Sequence, residues 1–140
     1  MTKGEIAEHC FNSGFNCGAS VLAGFCEEYD LDMELALKLA GGLGGGFTDG
    51  EICGAASGGV LVVGLKHGPY IQEDKGAKVN CHVKTAQFIE EFKKRHGVLT
   101  CRDLLADKPK GDDEASVNER RRFCKGLVDS SVELLEELGY

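Results

Sequence analysis

Four of the seven cysteines in this chain have positions that suggest sulfur chemistry. Cys17, Cys53 and Cys101 stand where helices are predicted to begin, and Cys124 lies in a strongly helical C-terminal stretch. The first turn of a helix has unpaired N–H groups and the positive end of the helix dipole, which favour a thiolate over a thiol. Because a thiolate attacks disulfides and binds metal ions, these positions indicate either redox exchange or metal ligation.

The predicted helix starts depend on capping residues. Asn16 and Thr100 each directly precede one of these cysteines, and both are residue types that cap helices. Thr48 and Glu51 have the spacing of a capping box, which would start a helix just before the third cysteine. We therefore expect three of the four thiols to lie at helix N-termini.

The spacing of the four cysteines excludes the compact metal motifs. Separations of 36, 48 and 23 residues along the chain match neither a zinc finger nor a ferredoxin run. A common site would have to be assembled by the tertiary fold, and the spacing alone leaves redox exchange and metal binding open. The other cysteines share helix faces with apolar neighbours and are predicted to be small buried core residues: Cys10, Cys26 and Cys81.

Composition narrows the functional classes. The formal net charge of -7 disfavours binding to nucleic acid, which requires clustered Lys and Arg. The one basic run, residues 120–122, stands beside acidic residues and is predicted to form a solvated, ion-paired helix face. Surface positions are predicted for the four scattered histidines, His9, His67, His82 and His96.

Length and hydropathy predict one soluble cytoplasmic domain, residues 1–140. The N-terminal residues lack the apolar core of a signal peptide, and no apolar run is long enough to span a membrane. Seven cysteines without an export signal make a disulfide framework a poor expectation, so reduced or metal-bound thiols are favoured.

Apolar periodicity predicts an all-α, single-domain bundle of about six helices with a glycine-rich loop. The apolar run after Cys53 is predicted to be a buried helix, with a strand as the alternative. The loop is the segment 41–47, which opens with five glycines in six residues. We expect this loop to allow close packing and to direct backbone N–H groups toward sulfur. A nucleotide-binding loop is disfavoured, because the glycine run follows a helical segment instead of a strand. The helices are predicted over residues 4–13, 17–26, 33–40, 54–65, 74–96, 101–106 and 114–138.

The segment Cys53-Gly54-Ala55-Ala56-Ser57-Gly58 reads as a CGAxxG motif. With Cys17 before it and Cys101 and Cys124 after it, nearly the whole chain resembles the family of redox-active proteins known by its C_GCAxxG_C_C cysteine pattern. The resemblance implies that these four cysteines are the catalytic and metal-binding residues, and that Gly54 and Gly58 belong with them to a cofactor site.

The resemblance also indicates the cofactor. The family is similar to the iron–sulfur part of split-Soret cytochromes c, which implies an iron–sulfur cluster on the four cysteines. The chain has no C-x-x-C-H motif and therefore no covalent haem site. The implied function is that of an electron carrier or an oxidoreductase, acting with an unknown redox partner protein.

Two alternatives stay open. One is a metal-free thiol–disulfide protein in which two of the cysteines exchange electrons with a partner. The other is an interaction module with a structural zinc ion held by four cysteines. The glycine-rich segment and the acidic helices could also form the interface of a homodimer.

Overall fold

The computed structural model describes residues 1–140. It contains seven α-helices and one short turn of π-helical type, Gly46–Gly50, and no strand. The prediction of an all-α fold is confirmed, and the apolar run after Cys53 is a helix. The helices are α1 (Lys3–Asn12), α2 (Cys17–Gly24), α3 (Met33–Leu39), α4 (Gly54–His67), α5 (Lys75–His96), α6 (Cys101–Leu104) and α7 (Glu114–Glu137).

Helix α2 lies at the centre of the bundle. Every residue from Gly18 to Gly24 is buried, because α1, α3, α4 and α7 all pack against this short helix. The long helices α5 and α7 pack against α4 and against each other. Phe25, Phe88 and Phe92 are the largest side chains that are fully enclosed in the core. None of the helices combines the length and apolar character needed to cross a membrane.

Two of the three predicted caps are present. The Asn16 side chain accepts a hydrogen bond from the Ala19 N–H at 2.9 Å, and the Thr100 hydroxyl accepts one from the Asp103 N–H at 3.2 Å. Cys17 and Cys101 are consequently the first residues of α2 and α6.

The predicted capping box at Thr48 and Glu51 is wrong. Cys53 itself is the N-cap residue of α4, without a side-chain cap. Gly45, Gly46, Phe47 and Thr48 all have positive φ, so this stretch forms a left-handed turn instead of a helix start. The glycines explain the geometry, since a left-handed backbone is readily adopted by glycine and strained for a β-branched residue such as Thr48.

Candidate functional site

Cys17 and Cys53 come together because helices α2 and α4 pack almost backbone to backbone. A Cβ atom placed on Gly58 would lie 2.6 Å from the Gly18 carbonyl oxygen, so only glycine permits this contact. One turn earlier in α4, a Cβ atom on Gly54 would lie 3.1 Å from the Cys17 Cβ atom. The two glycines of the motif therefore set the distance between the starts of α2 and α4.

Asn16 holds Cys17 from the other side. Besides capping α2, its side-chain amide donates hydrogen bonds to the carbonyl oxygens of Ala40 at 3.0 Å and Gly41 at 3.2 Å. These carbonyls end α3 and begin the glycine-rich segment. The cap residue thus fixes the start of α2 against the segment that leads into the left-handed turn.

Cys101 reaches Cys53 through a short antiparallel backbone contact. Ile52 and Thr100 form an isolated β-bridge. On either side of it, the Cys53 N–H donates to the Leu99 carbonyl at 2.9 Å, and the Cys101 N–H donates to the Glu51 carbonyl at 2.6 Å. Residues 51–53 and 99–101 therefore run side by side, which brings the starts of α4 and α6 together.

Cys124 completes the group from the middle of α7. Its thiol and that of Cys17 shift each other's pKa, and it also acts electrostatically on Cys53 and Cys101. The four thiols, which come from four different helices, therefore lie within electrostatic range of one another. We refer to Cys17, Cys53, Cys101 and Cys124 as the cysteine cluster.

The three thiols at the helix starts have raised pKa values, in contrast to the thiolate that their positions predict. Burial raises the pKa of Cys53 to about 11, although the backbone N–H groups of Ala55 and Ala56 act in the opposite direction and lower it. The hydrogen bond to Cys124 and burial raise the pKa of Cys17. Burial and the neighbouring Cys124 raise the pKa of Cys101. In the metal-free protein these three thiols are favoured over their thiolates.

Cys124 differs from the three other thiols because its pKa is lowered. The first cause is the hydrogen bond from Cys17, and the next favourable contributions come from the positive charges of Arg121 and Arg120. These arginines precede Cys124 by three and four residues, which places all three side chains on one face of α7. That spacing was visible in the sequence, and it is the signal that could have assigned the arginines to the site.

The basic run is solvated, as predicted, because Arg121 and Arg122 are exposed, but the predicted ion pairs do not form. Arg120 donates to the carbonyl oxygens of Pro109 at 2.6 Å and Gly111 at 2.8 Å. Arg121 donates to the Phe11 carbonyl at 2.9 Å, and its guanidinium lies 4.5 Å from the centre of the Phe11 ring. Neither arginine pairs with a carboxylate, so both keep their charge near Cys124.

The sequence comparison identifies the family. The family model described as "Putative redox-active protein (C_GCAxxG_C_C)" matches residues 15–138, which is nearly the whole chain. The chain belongs to this family. The family pattern has glycine directly before its second cysteine, whereas this chain has Ile52 before Cys53 and Gly54 after it. No curated protein and no solved structure matches the chain.

In this member of the C_GCAxxG_C_C family all seven cysteines are free thiols. No group of three or more His, Cys, Asp or Glu side chains is arranged as a ready metal-binding set. The backbone N–H groups that lower the pKa of Cys53 come from Ala55 and Ala56 in the first turn of α4. The prediction that the glycine-rich segment supplies such N–H groups is therefore wrong for Cys53.

The cysteines outside the family pattern behave differently from one another. Cys10 and Cys26 are buried, as predicted, and lie close enough for Cys10 to influence the pKa of Cys26. Cys81 is only partly buried on α5, so the prediction of a core position is wrong for this residue. It lies on the side of α5 that faces Tyr140 rather than with the cysteine cluster.

The four histidines are scattered, and two of them are more enclosed than predicted. His9 and His82 are exposed. His96 is half-buried and lies 3.0 Å from the Ser130 hydroxyl, and His67 packs edge-on against Tyr140 at the end of α4. None of the four histidines contributes to the pKa shifts of Cys17, Cys53 or Cys124.

Proposed function

We propose that this protein is an electron carrier or oxidoreductase that binds an iron–sulfur cluster through the thiolates of Cys17, Cys53, Cys101 and Cys124. The observation that supports the proposal is the convergence of four cysteines from four helices. Four thiolates are the usual ligand set of such clusters, so the chemistry of these side chains fits the group. When bound, the cluster would supply one-electron transfer, with a redox partner protein as donor or acceptor.

The residues around the sulfurs suit this role. Cys53 is only 4% exposed, and the N–H groups of Ala55 and Ala56 stabilise negative charge on its sulfur. Hydrogen bonds to ligand sulfur raise the reduction potential of a cluster, whereas burial from solvent opposes the gain of negative charge. Arg120 and Arg121 add positive charge on the Cys124 side. Gly54 and Gly58 contribute by allowing the close approach of α2 and α4.

The raised pKa values of three thiols give this proposal a pH dependence. Metal binding requires thiolates and therefore releases the protons that Cys17, Cys53 and Cys101 hold in the metal-free state. We expect iron uptake to become more favourable as the pH rises from 7 to 9, and to be accompanied by proton release.

Anaerobic reconstitution tests the proposal. The protein is incubated with ferrous iron and sulfide, desalted, and analysed for iron, sulfide and visible absorption before and after dithionite. We expect a brown protein whose absorption bleaches on reduction. Serine in place of Cys17, Cys53, Cys101 or Cys124 should reduce the bound iron strongly, whereas Cys81→Ser is the matched control and should not. Folded protein without iron, or with zinc alone, would overturn the proposal.

A second candidate is favoured by the contact between Cys17 and Cys124. A thiolate held against a thiol is the arrangement from which a disulfide forms, with one thiol donating to the other. Metal-free protein should then lose two thiols on mild oxidation and regain them with a dithiol reductant. Peptide mapping would identify the bridge; a bridge between other cysteines would exclude this pair.

A further inference from the structure

A cleft of about 380 Å³ opens beside two members of the cysteine cluster. Cys17 and Cys124 line it, and Phe11 and Phe15 form part of its apolar wall. Phe15 is 41% exposed, so the cleft is open to solvent at the side where this ring lies. A small molecule in the cleft could therefore contact sulfur directly, whereas Cys53, which is only 4% exposed, is much less accessible.

The charge of this cleft is opposite to that of the whole chain. Two arginines, Arg120 and Arg121, line it, and no carboxylate does. Both are anchored by neutral carbonyl oxygens and neither forms an ion pair, although Arg120 lies close enough to Asp113 to help lower the pKa of that carboxyl group. The whole chain has a net charge of -7, but the two arginines give this cleft a positive charge beside its apolar wall. Such a cleft favours a small anion that also has an apolar part.

We propose that this cleft is a binding site for small anionic organic disulfides or thiols, which it presents to Cys17 and Cys124. The guanidinium groups of Arg120 and Arg121 attract the anionic group, and the rings of Phe11 and Phe15 cover the apolar part. The proposal rests on the proposed function only through the two cysteines that it shares, because the cleft and its charge do not depend on a cluster.

The chemistry in the metal-free protein is thiol–disulfide exchange. One cysteine thiolate bonds to a sulfur of the bound disulfide, whose S–S bond breaks and releases one small thiolate. The second cysteine loses its proton to water, attacks the protein sulfur of the mixed disulfide, and releases the second thiolate. The small disulfide gains two electrons, and the protein is oxidised to a disulfide between Cys17 and Cys124.

Two aromatic disulfides of different charge test the site. Dithiobis(nitrobenzoate) has a carboxylate on each ring, and dithiodipyridine is neutral. The metal-free full chain is exposed briefly to each reagent, the remaining thiols are alkylated, and peptide mass spectrometry gives a rate at each cysteine. The readout is the ratio of the anionic to the neutral rate, because a changed thiol pKa would alter both rates together.

We expect this ratio at Cys17 and Cys124 to fall about three- to tenfold in the protein with Arg120→Gln and Arg121→Gln. The ratio at Cys81 on α5 should not change. Arg122→Gln is the matched control, because Arg122 does not line the cleft. Arg121→Lys retains the charge and should keep most of the ratio. In about 1 M salt, where the Debye length is about 3 Å, the wild-type ratio should fall as well.

An unchanged ratio in the doubly substituted protein would overturn the proposal. An equal fall with Arg122→Gln would also overturn it, since the effect would then belong to the general surface charge. If the double substitution prevents folding, as judged by circular dichroism, the salt dependence of the wild type decides, and a salt-independent ratio overturns the proposal. Iron content after reconstitution is measured separately, so failure of the cluster and failure of the cleft give different results.

Discussion

The two sides of the cysteine cluster differ in what surrounds the sulfur. On one side, Cys53 lies buried at the start of α4, the helix that packs closely against α2, and burial raises its pKa to about 11. On the other side, Cys124 lies in the middle of α7 beside two arginines, and its pKa is lowered. The sulfur at the helix start is thus the one that holds its proton more firmly.

This difference shows which physical effect dominates. Two N–H groups at the start of α4 do act on Cys53, but the loss of solvent outweighs them. At Cys124 the hydrogen bond from Cys17 lowers the pKa most, and the charges of the partly solvated Arg121 and Arg120 lower it further. The protein therefore offers one protected and one reactive sulfur within a single cluster.

The largest effect is expected from closing the space between α2 and α4. Gly58→Ala would push a Cβ atom into the Gly18 backbone, which cannot move aside as a side chain can. We expect the free energy of unfolding to fall by about 1–3 kcal/mol, as for overpacked cores. Urea denaturation followed by circular dichroism measures it.

Gly64→Ala, in the same helix, is the matched control for Gly58→Ala. A Cβ atom on Gly64 meets no atom within 4 Å, so this change should stabilise the protein by about 0.5–1 kcal/mol through helix propensity. Equal effects of the two substitutions would show that α2 and α4 do not depend on close contact at Gly58.

The second expected effect concerns the reactivity of the two sulfurs. At pH 8 the thiolate fraction of Cys124 should exceed that of Cys53, because the pKa of Cys124 is lowered whereas that of Cys53 is raised to about 11. The lower nucleophilicity of the more acidic thiol reduces this advantage without cancelling it, since the Brønsted coefficient is only about 0.4–0.5. Alkylation of the metal-free protein by iodoacetamide should therefore be faster at Cys124 than at Cys53.

The pH profile gives the sign of each shift. The alkylation rate at Cys124 should level off at a lower pH than that of an unperturbed cysteine, whereas the rate at Cys53 should keep rising to about pH 11. Arg122→Gln should leave both profiles in place, and Arg121→Gln should move that of Cys124 to higher pH. A profile for Cys53 that levels off below that of Cys124 would reverse the comparison.

The sequence predicted the elements of this site better than its environment. Asn16 and Thr100 were identified as caps because capping is a local property of residue type and position. The β-bridge between Ile52 and Thr100 could not be predicted, since it joins residues 48 positions apart and has no local signal. The role of Arg120 and Arg121 was missed because charge balance along the sequence does not show which partners the fold supplies.

A third, smaller effect is expected where the two sides of the cluster are joined. The buried Ser131 hydroxyl of α7 donates to the Ala55 carbonyl of α4 at 2.8 Å. Ser131→Ala removes this bond without leaving a donor unpaired, so thermal or urea denaturation should show a loss of about 1 kcal/mol. Ser57→Ala, whose hydroxyl bonds within its own helix at 3.3 Å, should cost less. Equal losses would mean that this bond does not join α4 to α7.

The smallest effect is expected in the left-handed turn before α4. Thr48 has φ of 57°, a conformation that a β-branched residue adopts only under strain, whereas asparagine tolerates it. Thr48→Asn should therefore raise the free energy of unfolding by about 0.5–1 kcal/mol, measured by urea denaturation. Thr2→Asn is the control, because Thr2 caps α1 with φ of -71° and asparagine caps equally well. If Thr48→Asn destabilises the protein, the strain lies elsewhere, and the turn holds Cys53 by contacts of the Thr48 side chain rather than by its backbone shape.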